Sequence, residues 1–341
     1  MNYTLTLGNR PDGSPIAWKD APNSNIAISG MSGQGKTFLI CQISQQLAKQ
    51  GAHCVHIDIA GELGDQGKPA GWPPAGTRYL SVCSKAVPVT TFHVESIGNG
   101  QQENPTFAAC RIAGILKDAL RLGPVQAGYL AACLESEFSC GQEVDLASIT
   151  ERIEMDAEEN IRAAVALQGR FLGFKPFPKA SPDCYAAYGT PGVTVINAQE
   201  ITLSSLRKPV SELIMANLWS YKTRHPESCP LVFFLDECQN LRFDADSMAQ
   251  RILREGRKYD IAGCFSTQWI PNVQDHPLNG AALQIHFCPE DRGLQSAATI
   301  LTQKDPSKRK ACMQELARLT PGQFIYRGKQ GPVFVDGRTS L

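Results

Sequence analysis

Short apolar runs alternate along the chain with longer segments in which apolar residues recur every three or four positions. The runs have the length and composition of strands buried in a parallel sheet, and they lie at residues 26–28, 53–59, 193–196, 231–235 and 261–266, with further candidates at 283–287 and 323–326. Segments whose apolar residues have helical spacing follow several of these runs. An opening hairpin is predicted at residues 3–7 and 16–18. Because strands that alternate with helices build a mainly parallel sheet, the pattern predicts an α/β fold.

The middle of the chain has a different pattern. Three sets of apolar residues have helical spacing there: Phe107, Ile112, Ile115 and Leu116; Val125, Tyr129, Cys133 and Leu134; Ile149, Ile153, Ile161 and Val165. We expect three or four helices, which form a helical insertion at residues 105–183 within a single domain that spans residues 1–341. Two loops rich in Gly and Pro, at 64–77 and 170–183, are either plain connectors or elements that face a partner.

One glycine-rich stretch carries recognisable chemistry. Gly30, Gly35, Lys36 and Thr37 fit the G-x-x-x-x-G-K-[ST] pattern of a phosphate-binding loop, the P-loop, with an apolar run before it and a helix after it. Glycines let successive backbone N–H groups point inward as an anion-binding nest, and the helix adds its positive N-terminal end. Lys36 is predicted to reach the β- and γ-phosphates of ATP, and Thr37 to offer its hydroxyl to Mg²⁺. The nucleotide-binding prediction covers Gly30, Met31, Ser32, Gly33, Gln34, Gly35, Lys36, Thr37 and Phe38.

A second stretch supplies candidate catalytic groups. The apolar run at 231–235 ends in Asp236 and Glu237, and the carboxyl ends of parallel strands form the edge where open α/β sheets bind ligands. Asp236 is predicted to hold Mg²⁺, and Glu237 to orient and polarise the attacking water. An unpaired buried carboxylate is costly, which favours this catalytic role over a structural one. Gln268 ends the next strand candidate, where its amide either contacts the γ-phosphate or faces solvent.

Two arginines precede that last strand. Arg254 and Arg257 lie in an Arg-Glu-Gly-Arg-Lys segment that we predict to be helical. In a ring of subunits, an arginine at this position can enter the neighbouring site and stabilise transition-state charge. A pair of surface arginines beside Glu255 is the alternative. The other motifs favour the arginine finger, with Arg257 preferred to Arg254.

Together these motifs resemble the FtsK/HerA superfamily of RecA-like motor ATPases. The resemblance rests on the lead-in at residues 7–16, on Asp-Ile-Ala-Gly-Glu-Leu at 58–63, and on the segment 254–259 with Ser-Thr-Gln at 266–268. Ile59 stands where the superfamily usually has proline, and Asp260 where it usually has glycine.

The resemblance implies a RecA-like P-loop NTPase that assembles as a homo-hexamer. Such a ring hydrolyses ATP with Mg²⁺ and moves DNA, expected to be duplex, through its central pore as a translocase or helicase. The resemblance assigns Gln268 as the sensor and Arg257 as the finger that acts in trans. Because no HerA-type barrel or FtsK-type DNA reader is recognisable in the sequence, a partner protein such as a nuclease is expected.

Composition narrows the classes of function. The 341 residues carry 33 basic and 33 acidic side chains, which disfavours a strongly basic DNA-coating protein but leaves room for a local basic patch or pore. No apolar run approaches the roughly 18 residues of a membrane span, and no signal peptide is evident, so we expect a cytoplasmic protein without membrane contact. The 12 cysteines are expected to be reduced and mostly buried, with Cys41, Cys54, Cys110, Cys133 and Cys264 inside apolar patterns.

Two other functions stay open at this stage. One is a nucleotide-switched scaffold, in which ATP orders a ring that recruits or regulates a partner with little translocation. The other is a coupling ATPase of a conjugation or secretion system, a class that usually carries a membrane anchor.

Overall fold

A computed structural model of the chain describes residues 3–19, 24–64, 68, 70–97, 101–141, 143–241, 243–244, 247–268, 276–303, 305–328 and 331–339. The strands are β1 (Thr4–Asn9), β2 (Pro15–Lys19), β3 (Ile26–Ser29), β4 (His53–Asp58), β5 (Arg78–Ser81), β6 (Thr91–His93), β7 (Glu143–Asp145), β8 (Gly192–Asn197), β9 (Leu231–Leu235), β10 (Ile261–Thr267), β11 (Leu283–His286), β12 (Gln323–Gly328) and β13 (Gly331–Asp336). The α-helices are α1 (Lys36–Lys49), α2 (Pro105–Leu120), α3 (Pro124–Cys140), α4 (Leu146–Glu158), α5 (Arg162–Phe171), α6 (Ser204–Arg224), α7 (Met248–Glu255), α8 (Asp291–Leu301) and α9 (Pro306–Ala317).

One large sheet organises the described residues. Its 11 strands follow the order β2-β1-β13-β12-β11-β3-β10-β9-β4-β8-β5. Neighbours from β11 to β5 are parallel, whereas β12, β13, β1 and β2 extend the sheet with antiparallel pairs. The predicted α/β fold with a mainly parallel sheet is confirmed.

The register of the central strands brings three loops to one edge. Ser29 at the end of β3 lies opposite Thr267 at the end of β10, and Leu235 at the end of β9 lies opposite Phe265. Parallel strands share one polarity, so the residues after β3, β9 and β10 meet at the same edge. We call it the carboxyl edge of the sheet.

Helices cover both faces of the parallel strands, as sheets of this kind require. On one face, α1 buries Leu39 and Ile43 beside Phe234 of β9. On the other face, α6 packs with Phe233, the residue before it in β9. Alternate residues of a strand point to opposite faces, so this continuous apolar run fills two cores. Each fully buried Leu, Ile or Phe side chain stabilises the fold by about 1.5–3 kcal/mol relative to exposure.

Helices α2 to α5 occupy the middle of the chain, between β6 and β8. Leu116 of α2, Leu134 of α3 and Ile153 of α4 are fully buried in the same core as α6. The helical pattern over-extends the apolar face, however, because four residues that it includes are exposed: Phe107, Val125, Ile161 and Val165. Phe107, Val125 and Val165 lie near the starts of α2, α3 and α5, and Ile161 is the N-cap of α5. The limits of a helical insertion at 105–183 stay a prediction.

The segment before β10 is not the continuous helix that the sequence predicts. Helix α7 ends at Glu255, and a 3₁₀ turn follows over Gly256–Tyr259. A Cβ atom at Gly256 would lie 2.4 Å from the carbonyl oxygen of Ile261, so the chain turns close against β10 there. Asp260 then adopts a φ of 52° in the left-handed region, where an aspartate takes the place of the more usual glycine.

All 12 cysteines are free. Seven of them are buried, namely Cys41, Cys54, Cys133, Cys184, Cys238, Cys264 and Cys312. Cys110 is exposed although its neighbours form an apolar pattern. Its position on α2 lies outside the stripe that faces the core.

Candidate functional site

The P-loop joins β3 to α1 at the carboxyl edge. Gly30 and Gly35 have φ angles of 147° and 103°, in the range that favours glycine. A Cβ atom at Gly30 would lie 2.6 Å from Cβ of Phe287, so a larger residue would force the loop away from β11. The tip residues Ser32 and Gly33 are exposed, whereas Met31, Gln34 and Phe38 are half-buried.

Backbone hydrogen bonds fix the loop to the neighbouring strands. The Gly30 N–H donates to the Thr267 carbonyl at 3.2 Å, and the Met31 N–H donates to the Cys288 carbonyl at 2.9 Å. The Gln34 carbonyl accepts from the Gly322 N–H at 2.8 Å, just before β12. These contacts hold the loop on both sides, against β10 and the segment just after β11 at its start and against the residue before β12 near its end.

Lys36 begins α1 and is buried, with 6% of its surface exposed. Its Nζ donates to the Met31 carbonyl oxygen at 2.9 Å. Burial lowers the pKa of the Lys36 ammonium, against the opposing effect of Asp236, Glu237 and Glu62. Lys36 begins the helix that follows the P-loop, which is where a cation can bind phosphate oxygens.

Thr37 lies next to two carboxylates. Its Oγ1 donates to Oδ2 of Asp236 at 3.0 Å and lies 3.4 Å from Oε2 of Glu62. Asp58 positions Glu62, because its carboxylate accepts from the N–H groups of Gly61, Glu62 and Leu63 at 2.8, 3.1 and 3.0 Å. The sequence pattern included Glu62 in a motif without giving it a role, and its proximity to Thr37 depends on this capped turn.

Hydroxyl and carboxylate oxygens are the donors that Mg²⁺ prefers. Thr37 and Asp236 supply such oxygens, and Glu62 adds a further one nearby. In the described ranges no group of three or more His, Cys, Asp and Glu side chains could cage a metal. This arrangement fits Mg²⁺, which usually takes one or two carboxylates together with substrate phosphates.

Glu237 follows Asp236 at the end of β9, with a φ of 56° in the left-handed region. Two glutamine amides hold its carboxylate. Gln268, after β10, donates from Nε2 to Oε1 of Glu237 at 2.6 Å. Gln239 donates from Nε2 to the other oxygen, Oε2, and its own Oε1 accepts from the Thr267 hydroxyl at 3.0 Å.

The contact of Gln239 was not predicted from the sequence. Gln239 lies in a 3₁₀ turn, Cys238–Asn240, that begins directly after Glu237. The signal in the sequence that could have indicated this contact is the position of Gln239, two residues beyond the acidic pair. Gln268, in contrast, lies beside Glu237, as expected from its place at the end of the adjacent strand.

Arg254 and Arg257 are not part of this cluster. Both side chains are exposed, at the end of α7 and in the 3₁₀ turn before β10. They precede the amino end of β10, whereas Gln268 follows its carboxyl end. Because a strand of this length spans about 20 Å, Arg257 lies at the opposite edge of the sheet from Glu237 of the same chain.

The comparisons with known proteins agree on the fold. The sequence matches no protein-family model, and no curated protein matches it. VirB4 of Thermoanaerobacter pseudethanolicus superposes with a TM-score of 0.71 at 15% identity, over 97% of this chain and 96% of that chain. The plasmid coupling protein TrwB in complex with ADP and Mg²⁺ gives a TM-score of 0.61 at 12% identity, over 100% of this chain and 95% of that chain.

These similarities extend over nearly the whole chain, and at such low identity they concern the fold. The mainly parallel sheet, the P-loop after β3 and the acids after β9 all lie within the part that is shared. The chain therefore has the RecA-like P-loop fold that its resemblance to the FtsK/HerA superfamily predicts.

Proposed function

We propose that this protein is an ATPase that hydrolyses ATP with Mg²⁺ and works as a hexameric motor on DNA. The observation that carries the proposal is the convergence of five side chains at the carboxyl edge: Lys36, Thr37, Asp236, Glu237 and Gln268. They come from three neighbouring strands and their loops. The complex of TrwB with ADP and Mg²⁺ supports the choice of ligand.

Each residue has a distinct task in this proposal. The P-loop N–H groups and Lys36 bind the phosphates. Thr37 and Asp236 would hold Mg²⁺, which neutralises phosphate charge when bound. Glu237 orients the attacking water and accepts its proton. Gln268, hydrogen-bonded to Glu237, senses the γ-phosphate through its amide.

The position of Arg257 supports an assembly. An exposed arginine at the opposite edge cannot assist its own site, but in a ring the amino edge of one subunit can meet the carboxyl edge of the next. We propose that Arg257 acts as this finger and that the ring is a homo-hexamer. DNA would then pass through the central pore, and a partner such as a nuclease would act on it.

A steady-state assay tests this proposal. Purified protein is given ATP and Mg²⁺ with and without duplex DNA, and release of a triplex-forming strand from the duplex reports translocation. We expect DNA to stimulate ATP hydrolysis and the third strand to be displaced. Equal hydrolysis with and without DNA, alone and with its partner, would contradict the motor. Assembly with ATP but without displacement would instead favour the ring scaffold.

A second candidate is a coupling ATPase of a conjugation system. The similarity to the bacterial conjugative coupling protein TrwB favours it. No helix in the described parts of the chain has both the length and the apolar character that a membrane span needs. Flotation with membrane vesicles, in the presence of proteins encoded beside this one, would separate the two: recruitment to vesicles favours the coupling role.

A further inference from the structure

An open groove of about 1160 Å³ lies beside the candidate ATPase site. One wall comes from the end of α2 and the end of α5, and the other from the residues that begin α6. Ile59 and Gln239 form its floor at the carboxyl edge of the sheet. We call it the basic groove, for its four cationic side chains: Arg121, Arg170, Arg207 and Lys208.

The charge of the basic groove is one-sided. Among the described residues, no Asp or Glu lines it, although the chain has equal numbers of basic and acidic residues. Arg170 and Arg207 are oriented by hydrogen bonds to the carbonyls of Leu120 at 3.1 Å and Ile201 at 2.9 Å. Among the ion pairs of the described residues, none involves any of the four. Their charge is therefore available to a ligand.

The shape and chemistry of the basic groove favour an extended polyanion. The N-terminus of α6 adds its unpaired N–H groups, because its N-cap, Leu203, has no side-chain hydrogen bond to offer. Ser204 and Ser205 add exposed hydroxyls to the same wall. No aromatic side chain from the described part of the chain lines the groove, so these residues offer no platform on which a base could stack. These groups match the repeated phosphates of a nucleic-acid backbone, which are contacted without regard to sequence.

We propose that the basic groove binds the phosphodiester backbone of DNA and that Gln239 reports its occupation to Glu237. The inference rests on the proposed function, because it concerns the DNA of that motor. Gln239 is exposed in the groove, yet its amide donates to Oε2 of Glu237. Gln268 donates to the other oxygen, Oε1, so both carboxylate oxygens of Glu237 accept hydrogen bonds.

The coupling follows from competition for one amide group. A carboxylate whose two oxygens already accept amide N–H groups has less capacity to accept a proton from water. A phosphate in the groove gives Gln239 Nε2 a second anionic acceptor, which competes with the Glu237 carboxylate for the same amide. When Gln239 turns to the phosphate, Oε2 of Glu237 becomes free to bind the attacking water. Gln239 is thus a positioning residue.

The groove is tested with the double variant Arg121→Gln/Lys208→Gln, which avoids the two arginines that hold backbone carbonyls. Its affinity for a fluorescent 40-base-pair duplex, and for the matching single strand, is measured by anisotropy at several salt concentrations. Loss of two phosphate contacts makes the negative slope of log K against log salt shallower by about 2 for duplex, at roughly 0.9 per phosphate. The matched control is Lys49→Gln/Lys310→Gln, which removes two exposed cations outside the groove and keeps the slope of the unsubstituted protein.

The two levels of the proposal fail in different ways. If the unsubstituted protein neither binds DNA nor is stimulated by it, the proposed motor function is wrong, and the groove proposal is wrong with it. If it is stimulated by DNA while the groove variant keeps the original salt slope and stimulation, only the groove proposal is wrong. A smaller slope with duplex but not with single strands, or the reverse, identifies the form of DNA that the groove binds.

Gln239→Ala tests the coupling step. A hydrogen bond to a charged carboxylate contributes about 1.5–3 kcal/mol, which corresponds to a roughly 10- to 150-fold change in rate. We expect kcat without DNA to rise by about this factor with an unchanged KM for ATP, while DNA affinity is kept and stimulation by DNA shrinks. If Gln239→Ala lowers kcat equally with and without DNA, Gln239 only supports the site and the coupling is wrong.

Discussion

At the scale of single residues, one buried ammonium group lies among three carboxylates. Lys36 is the cation that binds nucleotide phosphates in our proposal, so Lys36→Ala should weaken nucleotide binding. A hydrogen bond to a charged group contributes about 1.5–3 kcal/mol, which corresponds to a roughly 10- to 150-fold increase in Kd. Titration with a fluorescent ATP analogue measures it. Lys49→Ala, at the far end of the same helix, is the control, and an equal Kd for both variants would contradict the role.

Glu237 is the candidate general base, and Glu237→Gln separates chemistry from binding. The amide keeps the size of the side chain but cannot accept the proton of the attacking water. We expect kcat to fall by about 10²- to 10⁴-fold with little change in the Kd for ATP. Single-turnover hydrolysis is the measurement. A kcat within a few-fold of the unsubstituted protein would show that another group activates the water.

Glu212 gives a prediction about stability and pH. Burial raises its pKa from 4.5 to about 7, and its Oε2 accepts from the Met248 N–H at 2.8 Å, at the start of α7. The folded protein therefore holds a proton that the unfolded chain has lost, between about pH 4.5 and 7. The stability that this proton provides is present below about pH 4.5 and is lost as the pH rises through about 7.

Glu212→Gln should accordingly increase the free energy of unfolding at high pH. At 1.36 kcal/mol per pKa unit, removing the buried charge stabilises the fold at pH 8 by up to about 3 kcal/mol, and by much less at pH 5. Urea unfolding at both pH values measures the difference. A Gln variant that is equally destabilised at pH 5 and pH 8 would mean that Glu212 stays ionised in the fold at both.

The same scale shows how much of the site could be predicted. The P-loop residues, Asp236 and Glu237 follow from motifs of fixed spacing and from apolar runs that mark strand ends. The contacts of Glu62 and Gln239 were not predicted, because they depend on how two irregular turns fold back. One of these turns is fixed by the Asp58 carboxylate and the other by the left-handed conformation of Glu237.

At the scale of elements, the strands buried on both faces were predicted, together with the opening hairpin and β12, whereas β5, β13 and α9 were not. β9 is a continuous apolar run, and all of its residues are buried. β5 is an edge strand that is only partly buried, and β13 begins with Gly and Pro. Helix α9 is mostly polar and buries only Cys312 and Leu316. In β5 and α9 too few apolar positions are left to give a period.

An ion-pair network ties the middle helices to α7. Arg251 of α7 donates to both oxygens of Glu95 at 2.8 and 2.6 Å and stacks over Trp219 at 4.5 Å. Arg111 of α2 lies 3.3 Å from Glu95 and 2.7 Å from Glu103. The Glu95 side chain is only 5% exposed, so it is the buried anion that two cations share.

Glu95→Ala should therefore destabilise the fold by about 3–5 kcal/mol, because it leaves buried positive charge without its partner. Chemical denaturation measures the change. The control pair is Lys175 with Glu154, which are 50% and 35% exposed; Lys175→Ala should cost no more than about 1 kcal/mol. If Glu95→Ala lowers the free energy of unfolding no more than Lys175→Ala does, water must solvate the arginines in place of the Glu95 carboxylate.

At the scale of the whole molecule, charge is balanced in sum but not in space. The sequence has no net charge, yet the described residues that line one groove include four cations and no acid. Composition could therefore disfavour a DNA-coating protein without excluding a local site. The P-loop, Glu237 and the basic groove lie at or beside the carboxyl edge, whereas Arg257 lies beyond the amino edge of the sheet. This polarity is what a ring of identical subunits needs for a site shared between neighbours.

The shared site predicts complementation between two inactive variants. Arg257→Ala should lose about 10³-fold or more in kcat, in the range seen for arginine fingers, and Glu237→Gln is inactive for a different reason. In a mixed ring, an interface that takes Glu237 from the Arg257→Ala subunit and Arg257 from the Glu237→Gln subunit is intact.

Mixing the two variants in equal amounts and reassembling them should restore about a quarter of the original ATPase rate, if subunits mix at random and sites act independently. Arg254→Ala, mixed in the same way, is the control for the neighbouring exposed arginine. If activity does not return although native mass measurement shows mixed rings, Arg257 does not act across the interface.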